Sequence, residues 1–228
     1  MQERPVHKLI KELSQVLVQL SDKVVGNLFN ALHAVKYQDE QSARQIRIVD
    51  DEIDVDEVDL EERCLAFLAL QQPVAKDLRS IVTIIKINEH LERIGDLAVH
   101  IIERMPEISP EMLEALELDN MGTQAGKMVK QSIDAFVATD RFLASRIGVM
   151  DEQIDAIHRK VFKSIALLMK SPDSDSNELL AALSISRYIE RMADHASRIA
   201  NEVIFLVTGE NVRHTEWSNE KLINSSRY

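Results

Sequence analysis

The chain has 228 residues, 45% apolar and 29% charged, which suits a soluble globular protein of one large or two medium domains. A formal net charge of -11 argues against a nucleic-acid binder, which normally carries a basic footprint. No run approaches the roughly 18 apolar residues of a membrane span, and the N-terminal stretch lacks the basic-then-apolar pattern of a leader, so a cytoplasmic location is expected.

Aromatic residues make up only 4% of the chain, and six Gly and five Pro leave little turn material, which points to long helices. From His7 to about Lys36, apolar residues recur at Leu9, Leu13, Leu17, Leu20, Val24, Leu28, Leu32 and Val35, the three-four spacing of a buried helical stripe. Asp39 suits the N-cap of a second helix running to about Gln72 through Ile46, Ile53, Leu60, Cys64 and Phe67. Cys64 is the only cysteine, so an internal disulfide is excluded and a small buried side chain is expected. Pro73 fits the first turn of a third helix through Leu78, Ile84, Leu91, Ala98 and Ile102, and Pro106 and Pro110 end it.

The second half repeats this plan. A helix is expected from about Leu113 to Thr139, then a cap at Asp140, 101 residues after Asp39. The next helix runs through Ile147, Ile154, Val161 and Ile165 to the polar turn at Ser171–Ser176, and the last spans about Glu178 to Thr208, with Gly209 as its left-handed stop. The expected fold is all-α: two tandem three-helix bundles of six long helices packed side by side. The first repeat is placed at residues 1–107 and the second at 108–210, followed by a polar tail at 211–228 expected to be partly disordered. No strand pattern is present.

Carboxylates punctuate both halves in the same register. Glu92 and Asp96 lie four apart on the third helix, and Glu190 and Asp194 return 98 residues later. Asp50 and Asp54 early in the second helix are matched by Asp151 and Asp155. Asp54 lies 18 residues before Gln72 and Glu92 lies 19 after Pro73, so both stand about 27 Å from the turn between their helices. Asp155 and Glu190 are likewise each 15 residues from Lys170 and Asp175. Each half can therefore gather four carboxylates, which repel one another unless a cation joins them. Oxygen-only ligation suits magnesium, manganese, calcium or iron, while a solvated acidic face is the plainer alternative. Arg93 and Arg191 adjoin the acids, but neighbouring helical positions point about 100° apart. Gly95, matched by Ala193, leaves room for close helix approach. His158 follows Asp155 with Glu57 as its counterpart and reads as half-exposed; His100 and His195 lie near the sites, where outer-shell partners are one reading and surface residues the plainer one.

With these residues in place the chain closely resembles the PhoU family of bacterial phosphate-signalling proteins. The resemblance is carried by Pro73–Arg79, Lys86, Leu91–Asp96, Ile189–His195 and Gly209–His214, and it covers residues 5–214. It implies metal at Asp50, Asp54, Glu92, Asp96, Asp151, Asp155, Glu190 and Asp194, divalent or trivalent, as iron or zinc in family members. It also implies a non-enzymatic regulator that acts with the ATPase subunit of the phosphate ABC transporter and with the phosphate-sensing histidine kinase; a homodimer is expected as well. Membrane association would come only through those partners. The rival from another class is a di-iron carboxylate oxidase or metal-storage bundle of the ferritin type. That class needs Glu-x-x-His, and the third residue after Glu92 and Glu190 is Gly95 and Ala193.

Overall fold

A computed structural model describes residues 5–212. Among them are seven α-helices and one short 3-10 turn, with no strand: α1 (Pro5–Tyr37), α2 (Glu40–Gln71), α3 (Ala75–Glu103), the turn Met105–Glu107, α4 (Pro110–Ala115), α5 (Leu118–Ala138), α6 (Arg141–Leu168) and α7 (Ser176–Thr208). The six long helices match the expected ones, and α4 is additional. The polar tail, from residue 213 onward, lies outside the described residues.

The caps explain where the helices begin. Asp39 accepts the N–H groups of Gln41 and Ser42, and Asp140 those of Phe142 and Leu143. The residues before them, Gln38 and Thr139, both take a left-handed conformation, so the same tight turn joins the first two long helices of each repeat. Asp175 caps α7, and Gly209 ends it at φ 77°.

Two expectations change. Pro73 lies between the left-handed C-cap Gln72 and the extended N-cap Val74, so it stops α2 rather than opening α3. The long helix expected from Leu113 is broken at Leu116–Glu117, where Glu117 takes φ 55°. Leu116 and Leu118, on either side of the break, are both buried.

One continuous core runs through both repeats. Within each repeat the two later long helices pack on each other and on the first, and the repeats meet through α3 against α7 and α1 against α5. The α3–α7 seam is antiparallel. Arg79 Nε donates to the Leu206 carbonyl, Lys86 pairs with the buried Glu202 at 3.1 Å, and His100 stacks on Tyr188 at 5.3 Å. At the α1–α5 seam, Gly122 lies under Leu32 and Gly126 under Phe29, where added Cβ atoms would fall 2.5 and 2.8 Å from those side chains. Lys36 and Asp119 close the end of that seam at 2.7 Å.

Candidate metal centre

In the first repeat α2 brings Asp50 and Asp54 against Glu92 and Asp96 of α3. Gly95 faces them: a Cβ built there would lie 2.9 Å from Asp50 Oδ1, so the carboxylate sits closer to α3 than a larger residue would leave it without a shift. Burial, then Asp54 and Asp96, push the Asp50 carboxyl up to about 6. Burial and then Asp96 push Glu92 up to about 7, with Arg93 opposing and Asp54 adding. Asp54 is also raised, by burial and then by Asp96. The side chain of Arg93 curls back to lie 3.3 Å from Glu92 and 3.5 Å from Asp96, so it does reach the acids despite its position on the helix. Four methylene and guanidinium bonds of freedom outweigh the 100° offset.

The second repeat repeats the arrangement. Burial and then Asp194 push Asp151 up to about 6; Asp155 and Glu190 add to this, and the nearby Ser197 hydroxyl opposes it without completing a hydrogen bond. Glu190 is raised by burial, Asp194 and Asp155, and Asp194 by burial, with Arg198 opposing. Arg159 lies 3.6 Å from Asp155, and buried Ala193 takes the place of Gly95. The four acids expected in each repeat therefore lie close enough to raise one another's pKa, at positions that match between the repeats.

The donor set fits a hard cation. Asp50 Oδ1 and Asp151 Oδ1, at matching positions, are buried and make no hydrogen bond among the described residues. A buried carboxylate oxygen left so is costly, and a cation would relieve it. In the conformation described, however, no three His, Cys, Asp or Glu side chains converge as a ready ligand group among the described residues. Ligation therefore requires carboxylates to swing inward from their present rotamers.

The histidines divide. His158 is half-buried, as expected, with Nδ1 2.8 Å from Ser186 Oγ, and burial lowers its pKa. His100 is exposed. His195, expected at the surface, is 8% exposed and faces His90 across the α3–α7 seam, with its pKa lowered to about 4 by burial and then by His90. His90 was not legible as a partner, because only the antiparallel register of the seam brings it to His195. Cys64 is buried as expected, and burial raises its thiol to about 11, which keeps it protonated.

A family model described as the PhoU domain matches residues 17–105 and again 118–203. The chain belongs to the PhoU family. Among curated PhoU relatives, a phosphate-specific transport system accessory protein PhoU homolog of Clostridium acetobutylicum is 31% identical over 89% of this chain and 94% of its own length. One of the same description from Pseudomonas aeruginosa is 32% identical over 90% of this chain and 86% of its own. The crystal structure of PhoU from Pseudomonas aeruginosa matches with a TM-score of 0.81 at 30% identity, covering 90% of this chain and 99% of that one. That of the phosphate transport system regulatory protein PhoU from Streptococcus pneumoniae matches with a TM-score of 0.85 at 29% identity, covering 91% and 99%. The PhoU family consists of accessory regulators rather than enzymes. No helix among the described residues of this PhoU-family chain is long and apolar enough to cross a membrane.

Proposed function

We propose that the protein is a metal-binding regulator of phosphate homeostasis. It holds down phosphate uptake and phosphate-starvation signalling through the phosphate ABC transporter and its sensor histidine kinase. The observation that carries the regulatory role is family membership along nearly the whole chain, with relatives named as accessory proteins of the phosphate-specific transport system. Deleting the gene is expected to raise phosphatase expression in phosphate-rich medium, and the ATPase subunit of the transporter is expected to co-purify with the tagged protein. An unchanged phosphatase level would assign the chain to another pathway.

The metal is supported by the two four-carboxylate clusters and by the matching buried oxygens of Asp50 and Asp151. When bound, iron, zinc, manganese or magnesium would supply positive charge that ties α2 to α3 and α6 to α7. The residues that would hold it are Asp50, Asp54, Glu92 and Asp96 in one repeat and Asp151, Asp155, Glu190 and Asp194 in the other. Elemental analysis of protein purified without chelator should find metal, and the double variant Glu92→Ala/Asp96→Ala should lose about half of it, since one cluster of two is removed. Metal-free wild type would sink this part of the reading and leave the regulatory part standing. A homodimer is proposed as well; exposed Val55, Val58 and Leu65 on α2 offer apolar surface for a second copy. Light scattering at micromolar concentration tests it.

A further inference from the structure

The two carboxylate clusters share one set of residue types in one register, but their surroundings differ in charge. On α2 and α6 the register sets Glu57 against His158, Val58 against Arg159 and Glu61 against Phe162. On α3 and α7 it sets Glu89 against Arg187 and His100 against Arg198. Across residues 50–62 and 88–100, with His neutral, every exchange that changes charge makes the second repeat the more positive.

These charges reach the acids. In the first repeat Glu57 adds to the negative charge around Glu92, and Glu61 and Glu89 crowd Glu57 in turn. Arg93 opposes them, 3.3 Å from Glu92 and 3.5 Å from Asp96. Its match Arg191 likewise acts on Glu190 and Asp194, so this position does not distinguish the repeats. Lys23 of α1 is engaged by Glu52 and Asp56, at 3.2 and 2.6 Å, and the three together keep a surplus negative charge. In the second repeat three further guanidiniums face the cluster. Arg159 lies 3.6 Å from Asp155, Arg187 acts on Glu190, and Arg198 acts on Asp194. The charges that burden Asp151, Glu190 and Asp194 are those of the cluster itself.

We propose that the clusters are unequal: the first repeat takes up a cation first, and the second fills only at higher metal concentration, because arginines already balance its acids. This rests on the reading of the acids as metal ligands. A divalent ion feels twice the energy that a proton feels in the same field, so a difference in surrounding charge weighs on it twice over. The ligating residue types are the same in both repeats, which leaves the field rather than coordination chemistry to set the order. The tie between α2 and α3 is then a standing one. The tie between α6 and α7 reports how much metal is present.

The test uses the full chain, stripped with chelator, dialysed and titrated calorimetrically with Mn²⁺. Two variants isolate the clusters: Glu190→Ala/Asp194→Ala leaves the first, and Glu92→Ala/Asp96→Ala leaves the second. The variant that keeps the first cluster is expected to bind with a Kd at least about tenfold lower than the variant that keeps the second. Exchanging only the surroundings should move these values while sparing the ligands. Arg187→Glu/Arg198→His, added where the second cluster remains, should tighten binding by about threefold or more. Glu57→His/Glu89→Arg, added where the first remains, should weaken it to a like extent. Raising the salt from about 0.05 to 0.5 M should narrow the ratio between the clusters, since exposed charges are screened. Circular dichroism checks that each variant is folded. At saturating Mn²⁺ the wild type fills both clusters. Equal Kd values, a tighter second cluster, or affinities that ignore the surrounding charges would overturn the proposal and leave the metal reading intact. No binding of Mn²⁺ to the wild type overturns both.

Discussion

The carboxylates act as proton acceptors in the folded chain as well as candidate ligands. Asp50 and Asp151 are raised to about 6 and Glu92 to about 7, above the values they take when unfolded. A raised acid is a burden while ionised. As pH falls through the folded value, the native state takes up a proton that the unfolded chain still lacks, so stability rises until the unfolded value is passed. The buried His195 and His158, whose pKa values are lowered, lose stability over the same range, but the raised acids outnumber them. Metal-free protein should therefore melt at a higher temperature at pH 5 than at pH 8, by about 2–4 °C for each kcal/mol recovered in a chain of this size. Glu92→Gln should flatten that slope and raise the melting temperature at pH 8; a slope of opposite sign would contradict the clustering. Added metal should stabilise more at pH 8 than at pH 5, because it competes with protons for the same oxygens. Two glycines test local space more simply. Cβ atoms at Gly26 and Gly148 meet nothing within 4 Å, so Gly26→Ala and Gly148→Ala should each stabilise the protein by about 0.5–1 kcal/mol in chemical denaturation, as interior helical glycines do when replaced.

The starts and stops of helices were largely legible because they are short-range chemistry. Asp39 and Asp140 were readable as caps since a carboxylate before an apolar run has one efficient use. Removing either cap, in Asp39→Ala or Asp140→Ala, should cost about 1 kcal/mol by thermal or denaturant unfolding. The break at Leu116–Glu117 was not legible, because neither Gly nor Pro marks it and Glu117 takes its left-handed conformation without the residue type that favours one. Pro73 was read on the wrong side of its turn, since a proline serves equally to end one helix and to begin another. Levelness of the acids across each hairpin could be counted from residue rise alone. The return of Arg93 onto Glu92 and Asp96 could not, as it depends on a rotamer, and the meeting of His90 with His195 depends on how the repeats dock.

At the scale of the molecule, the repeats are two halves of one core rather than two beads. Gly122 and Gly126 let α5 approach α1, and Gly122→Leu should cost about 1–3 kcal/mol by forcing Leu32 aside, measured by denaturant unfolding. The first repeat expressed alone should bind a hydrophobic dye and unfold without a sharp transition, because Ile87, Leu91 and Ile94 of α3 belong to a core shared with α7. The antiparallel seam has one more consequence. Arg79 near the start of α3 meets Leu206 near the end of α7, while His100 near the end of α3 meets Tyr188, so the α2–α3 and α6–α7 hairpin tips point away from each other. The 33 residues of α7 put those tips about 50 Å apart, well beyond the roughly 30 Å breadth of a small domain. The molecule thus carries two similar hairpin tips at opposite ends, too far apart for one small domain seated on one tip to reach the other.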